Sequence, residues 1–249
     1  MNALEVSAAI LSCMFVGSMV GMWLQNVLPA HHLNAETKDL VKVGTGLIGT
    51  MAALLLGLLV ASAKSSYDTR SSEVTQMAAN AVLLDRALAH YGPEAQEVRG
   101  LLEQFVSSTI EELWSKEGGQ GATLPSKEGG EAFDRLMQLV PHTDEQRTLK
   151  SQAESTVVNF GQMRLLLMAQ SGTSISKTFL IVVVFWLTLL FTSFGLFAPR
   201  NATAIFTLLL AAISVAGALF LILELDHPFS GLIQIPDAPL RNALSVIGK

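Results

Sequence analysis

The stretch "TFLIVVVFWLTLLFTSFGLFAPRNATAIFTLLLAAISVAGALFLIL", Thr178–Leu223, decides the fold. It holds two apolar runs, Thr178–Ala198 and Ala202–Leu223, with no charged residue in either and only Pro-Arg-Asn between them. A helix needs roughly 20 predominantly apolar residues to cross the hydrocarbon core of a bilayer, and each run is long enough. Three residues between two such helices make a hairpin. Two earlier runs have the same length but more polar texture. Val6–Leu28 is interrupted by Ser12, Ser18, Gln25 and Asn26, and Leu40–Ala63 opens on Lys42. Four membrane spans are therefore predicted.

Composition agrees. Half the residues are hydrophobic and 15% are charged, and the mean hydropathy is +0.45, away from the balance of an ordinary soluble domain. The leader "MNALE" carries an acid and no Lys or Arg, so the first run is expected to be an uncleaved span rather than a signal peptide. The loops "PAHHLNAETKD" and "PRN" fall on one side. Both termini and the long middle segment fall on the other, flanked by Lys64, Arg70, Arg164, Lys177, Arg241 and Lys249, against Lys38, Lys42 and Arg200 on the first side. The positive-inside bias then places both termini in the cytoplasm. Cys13, the single cysteine, lies in the first span and excludes an intrachain disulfide framework.

The expected organisation is a first transmembrane hairpin (1–63), a cytoplasmic helical layer (64–176), a second hairpin (177–224) and a cytoplasmic tail (225–249): an all-α integral membrane protein. Within the layer, "SSEVTQMAANAVLLDRALAHYG" places Val74, Met77, Ala78, Ala81, Val82, Leu84 and Leu88 at helical spacing and stops at Gly92-Pro93. A second helix follows from Pro93, then a Gly-rich loop, "SKEGGQGATLPSKEGG", a short helix "EAFDRLMQLV", and a long helix opened by the capping pattern Thr143–Gln146.

From Lys64 to Lys177 there are 11 Lys/Arg and 15 Asp/Glu, a net of −4, with signs alternating along the helices. No basic stripe exists for nucleic acid. No P-loop, Gly-x-Ser-x-Gly, His-Glu-x-x-His or Cys-x-x-Cys occurs, so neither an enzyme nor a bound cofactor is expected. The adjacent His31 and His32 offer at most two metal ligands and read as an interfacial polar loop.

Two stretches carry the functional candidates. On the second span Lys42, Gly46, Gly49, Thr50, Ala53 and Gly57 recur at three- and four-residue intervals. Such a stripe of small residues either packs closely against another helix or lines a pore, with Lys42 at one mouth. The other stretch is "ELDHPFSG". Glu224 and Asp226 sit at the negative end of the last span, where the helix dipole disfavours acids. Arg241, Lys64 or a bound cation are the candidate partners. Pro228 stops the helix, Gly231 permits a sharp turn and Phe229 plugs it from beneath.

Three stretches together, "MAANAVLLDRALAHYGPEAQEVRGLL", "FGLFAPRNAT" and "ILELDHPFSGLIQIPDAPLRNAL", give a sequence that resembles the bestrophin-like family of four-span bacterial membrane proteins. Many members carry an acid where this chain has Met77. His227, Pro228 and Phe229 are also similar to the Asn-Pro-Phe turn that helps organise gating in bestrophins, with His in place of Asn. The resemblance implies a subunit of a homo-oligomeric, pentameric ion channel of the bacterial inner membrane, lined by the second span, whose partners are membrane lipid, inorganic ions and its own copies. The alternative is a non-conducting sensor or scaffold whose helical layer binds a protein.

Overall fold

The computed structural model describes residues 3–29, 34–114, 127–169 and 177–249, and every regular element among them is helical. The helices are α1 (Ala3–Val27), α2 (Ala35–Tyr91), α3 (Gln96–Leu113), α4 (Lys127–Gln138), α5 (Asp144–Ala169), α6 (Lys177–Phe197), α7 (Ala202–Leu225) and α8 (Ala238–Val246). α1, α2, α6 and α7 each contain a window long and apolar enough to cross a membrane. His31, His32 and residues 115–126 of the Gly-rich loop lie outside the described residues.

One junction proves continuous, and one helix boundary needs correction. The second span and the helix after it are one continuous helix of 57 residues. The junction "KSSYDTRSS" contains neither Gly nor Pro, so nothing in it ends a helix. α4 begins at Lys127, inside the stretch read as loop, and ends at Gln138 rather than Val140. Its first turn absorbs Gly129 and Gly130, whose propensity cost is outweighed by burial of Ala132 and Leu136.

The chain divides into two units, Met1–Ser65 with Ser174–Asp226, and Ser66–Thr173 with His227–Lys249. In the first, α1 packs along α6 and, over a shorter length, α7. Its seam is built from "GSMVG", Gly17–Gly21. A Cβ at Gly21 would collide with the Thr192 carbonyl oxygen, and one at Gly195 with the Ser18 carbonyl. Only hydrogen at these positions lets the two backbones meet. Hydroxyls in the seam turn back on their own helices: Ser18 donates to the Phe15 carbonyl (2.7 Å), and Thr192 to that of Thr188 (2.8 Å). That satisfies them where no water is at hand. The short loops supply the caps. Asn201 Oδ1 accepts from the Ala204 amide at 2.8 Å to open α7, and Asn34 Oδ1 does the same for Thr37 and α2. Arg200 donates to the Met22 carbonyl of α1.

In the second unit the rest of α2 meets α3, α5 and α8 around one core. Val74, Met77, Ala81, Leu84 and Leu88 are buried as their spacing predicts, with Phe105 against Phe160 at 5.0 Å between ring centroids. Met77 is fully buried among these side chains. α2 stops at Tyr91 because Gly92 adopts φ 127°, and Pro93 starts the 3₁₀ turn that leads into α3. Thr143 caps α5 through the Gln146 amide (3.1 Å). The Gln146 side chain reaches back to the His142 amide (2.8 Å) and forward to the Tyr91 carbonyl (2.9 Å). One side chain thus fixes the end of α2 to the start of α5.

Alanine at three glycines separates close approach from mere flexibility. Gly21→Ala and Gly195→Ala should each lose about 1–3 kcal/mol through overpacking at the seam. Gly217→Ala on α7, where an added Cβ meets nothing within 4 Å, should be neutral or gain up to about 1 kcal/mol from helix propensity. Thermal unfolding in mild detergent checks the sign of each change.

Candidate functional site on the second span

Seen down its axis at about 100° per residue, the membrane part of α2 presents three faces. Ala52, Leu59 and Ala63 point into the core of the first unit. Leu47, Leu54 and Leu58 form an exposed aliphatic face. Between them runs the small-residue stripe. Gly46, Thr50, Ala53 and Gly57 are exposed, while Gly49 lies on the margin toward α6 and is half-buried.

Packing within the subunit does not account for the stripe. A Cβ added at Gly46 or Gly57 meets nothing within 4 Å, and at Gly49 it makes only an ordinary contact with Leu190 at 3.8 Å. A helical glycine costs about 1 kcal/mol relative to alanine, so glycines with nothing opposite them raise the question of what the chain's surroundings place there. The span as a whole is open: 11% of its apolar window is buried, against 28% for each of the other three. Thr50 donates to the Gly46 carbonyl at 2.9 Å, which leaves its oxygen lone pairs on the surface.

At one end of the stripe stands Lys42. Its Nζ lies 3.4 Å from Asp39 Oδ1, with both side chains largely in the open, a pair worth well under about 1 kcal/mol. Lys38, one turn earlier, reaches over the Phe197 ring at 5.8 Å. Both lysines line a groove of about 540 Å³ between α2 and α6, together with Thr45, Ser193, Phe194 and Phe197.

The second candidate stretch falls on both units. Glu224 and Asp226 end α7 in the first, and both are buried. In the second, His227–Ser230 form a turn closed by the Ser230 amide on the His227 carbonyl (3.1 Å). The Ile235 amide on the Pro228 carbonyl (2.8 Å) then folds the chain back, with Gly231 at φ 106°. Phe229 is buried beneath this turn, edge-on to Trp114 at 5.3 Å and 84°. Trp114 Nε1 also donates to the Ile235 carbonyl (2.8 Å), and the Tyr67 hydroxyl to that of Gln234 (3.2 Å). Arg241, one of the partners considered for the acids, donates to Asp237 in its own tail.

Sequence reasoning missed the anchor of this tail. Asp85 and Arg99 form a buried bidentate pair (2.8 and 3.1 Å), and Asp85 also accepts from the Gly248 amide at 3.2 Å. Hydrogen bonding to Asp85 holds the Arg99 guanidinium above its ordinary pKa, against desolvation by burial. Lone acids and bases 14 residues apart on consecutive helices carry no signal of pairing. Trp114, beside the Gly-rich stretch, offered only a polar handle at a helix end. Among the described residues, no three His, Cys, Asp or Glu side chains gather as a metal site.

The family model for the bestrophin-like domain matches residues 12–240. Comparison with curated proteins gives no match. Among solved structures, a mutant of a bacterial bestrophin homolog from Klebsiella pneumoniae superposes with a TM-score of 0.67 at 15% identity. The match covers 97% of this chain and 99% of that one. At that identity the likeness is one of fold, and it extends over the whole membrane and helical-layer arrangement. From residue 12 to residue 240, this multi-pass helical chain belongs to the bestrophin-like family.

Proposed function

We propose that the chain is one subunit of a homo-oligomeric ion channel, with α2 nearest the symmetry axis and the stripe Gly46, Gly49, Thr50, Ala53 and Gly57 along the conduction path. The observation that carries this reading is the open glycine face: positions at which a side chain would meet nothing in the subunit. Four helices enclose no hydrated path comfortably, whereas copies arranged around α2 would give the stripe a purpose. The resemblance implies a pentamer, and the positive-inside bias favours both termini and the helical layer in the cytoplasm.

In this arrangement hydrogen side chains keep the path wide, the Thr50 oxygen offers an acceptor to a hydrated ion, and Lys42 sets the charge at one mouth. Ions move down their gradient with no bond made or broken. The tail supplies a means of control. Only the peptide link from Asp226 to His227 separates the end of α7 from the turn plugged by Phe229, so a shift of the helical layer would pull directly on the last span.

Four measurements test this. Reconstituted in liposomes, the purified protein should pass ions. Gly57→Leu should reduce flux at least tenfold while the assembly keeps its mass, since bulk there obstructs the path and not the subunit. Loss of assembly without a separable flux defect would favour helix packing between copies as the stripe's role. Lys42→Gln should move the reversal potential toward cation preference under a salt gradient, and an unchanged potential would remove it from the mouth. Asp226→Asn and Pro228→Ala should alter opening more than expression. If both variants conduct as the parent does and lose only melting temperature, the turn is a helix stop and no gate. A protein that assembles yet passes no ion under any condition would support the scaffold reading instead.

A further inference from the structure

The groove between α2 and α6 overlaps the margin of the stripe at Lys42, Gly46 and Gly49 and adds a wall from α6. Its floor is apolar, with Gly46, Gly49, Leu190 and Phe194, and its rim carries Lys38, Lys42, Thr45 and Ser193. Both helices are membrane spans by length and composition, and the groove occupies the end where α2 begins and α6 ends. A slot that is greasy along the spans and cationic at their end matches the two halves of a phospholipid. At about 540 Å³ it takes a headgroup and the upper part of an acyl chain, not a whole lipid. Lys38 and Lys42 are one turn apart on the same helix, so their ammonium groups can converge on one phosphate. Asp39 and Glu36 stand nearby, and Asp39 already touches Lys42 at 3.4 Å. That exposed contact is weak enough to yield to a doubly held phosphate near a low-dielectric surface.

We propose that this groove holds one anionic phospholipid per subunit, with its phosphate between Lys38 and Lys42 and an acyl chain laid along Leu190 and Phe194 of α6. Binding itself does not depend on the conduction reading, and the test below contains no flux.

Full-length protein in mild neutral detergent is melted with added dioleoylphosphatidylglycerol, dioleoylphosphatidylcholine or free glycerol 3-phosphate. At a tenfold excess over the dissociation constant the anionic lipid should raise the midpoint by roughly 3–6 °C. The zwitterionic lipid and the free headgroup should do far less. The double variant Lys38→Gln/Lys42→Gln should melt like the parent without lipid yet lose the difference between the two lipids. Lys127→Gln on α4 should keep it. Equal shifts from both lipids, or a full shift retained in the double variant, would overturn the proposal. So would a parent-sized response to glycerol phosphate alone, which would mark a bare anion site. No response to any lipid, with the double variant changing the assembly's mass, would assign the groove to a neighbouring copy.

Discussion

Helices in a bilayer gain no hydrophobic drive from meeting one another, because lipid is as apolar as leucine. Close backbone approach has to supply the attraction. In this chain that happens where Gly21 lies against the Thr192 carbonyl and Gly195 against the Ser18 carbonyl. Any side chain at either position would force α1 and α6 apart. With that seam closed, α7 has α1 to pack upon and the first unit has a defined interior. α2 has its core edge occupied by Ala52, Leu59 and Ala63 and its remaining surface open.

Two sets of glycines therefore do different work in one membrane unit. Those of α1 and α6 are filled from within the subunit. Those of α2 are not. The difference is invisible in the letters, since "GSMVG" and "GTGLIG" are equally plausible packing stripes. It lies in the packing: a Cβ at Gly21 or Gly195 would run into backbone, whereas one at Gly46 or Gly57 would meet nothing within 4 Å. The same contrast explains why the second span is the least buried of the four despite a mean hydropathy close to the others. In the proposed assembly, further copies of the chain complete the surroundings of this uncovered helix.

Much of the architecture was legible beforehand because it rests on long-range averages. Span length, the absence of charge in α6 and α7, and the 3.6-residue spacing of Val74, Met77, Ala81, Leu84 and Leu88 all survive small errors of boundary. Local stops were legible where the chemistry is strong, as at Gly92-Pro93 and at Thr143. The continuity of α2 was not legible, because "KSSYDTRSS" is merely polar and a polar helix continues until something breaks it. Gly129-Gly130 was misread as loop, because tertiary burial of the following residues overrides propensity. The tail turn was readable as a turn with Phe229 beneath it. Its partners, Trp114 and the Asp85–Arg99 pair, were not, because contacts across more than 100 residues of chain leave no local pattern.

The central claim is that the glycine face of α2 borders water in the assembled protein while its leucine face does not. Single cysteines placed along α2 in a Cys13→Ser background, in native membranes, test it through modification by a charged, membrane-impermeant thiol reagent. The account predicts rapid labelling of Gly46→Cys, Ala53→Cys and Gly57→Cys, and slow labelling of Leu47→Cys, Leu54→Cys and Leu58→Cys. Uniform labelling on both faces, or protection of the glycine face, would contradict it.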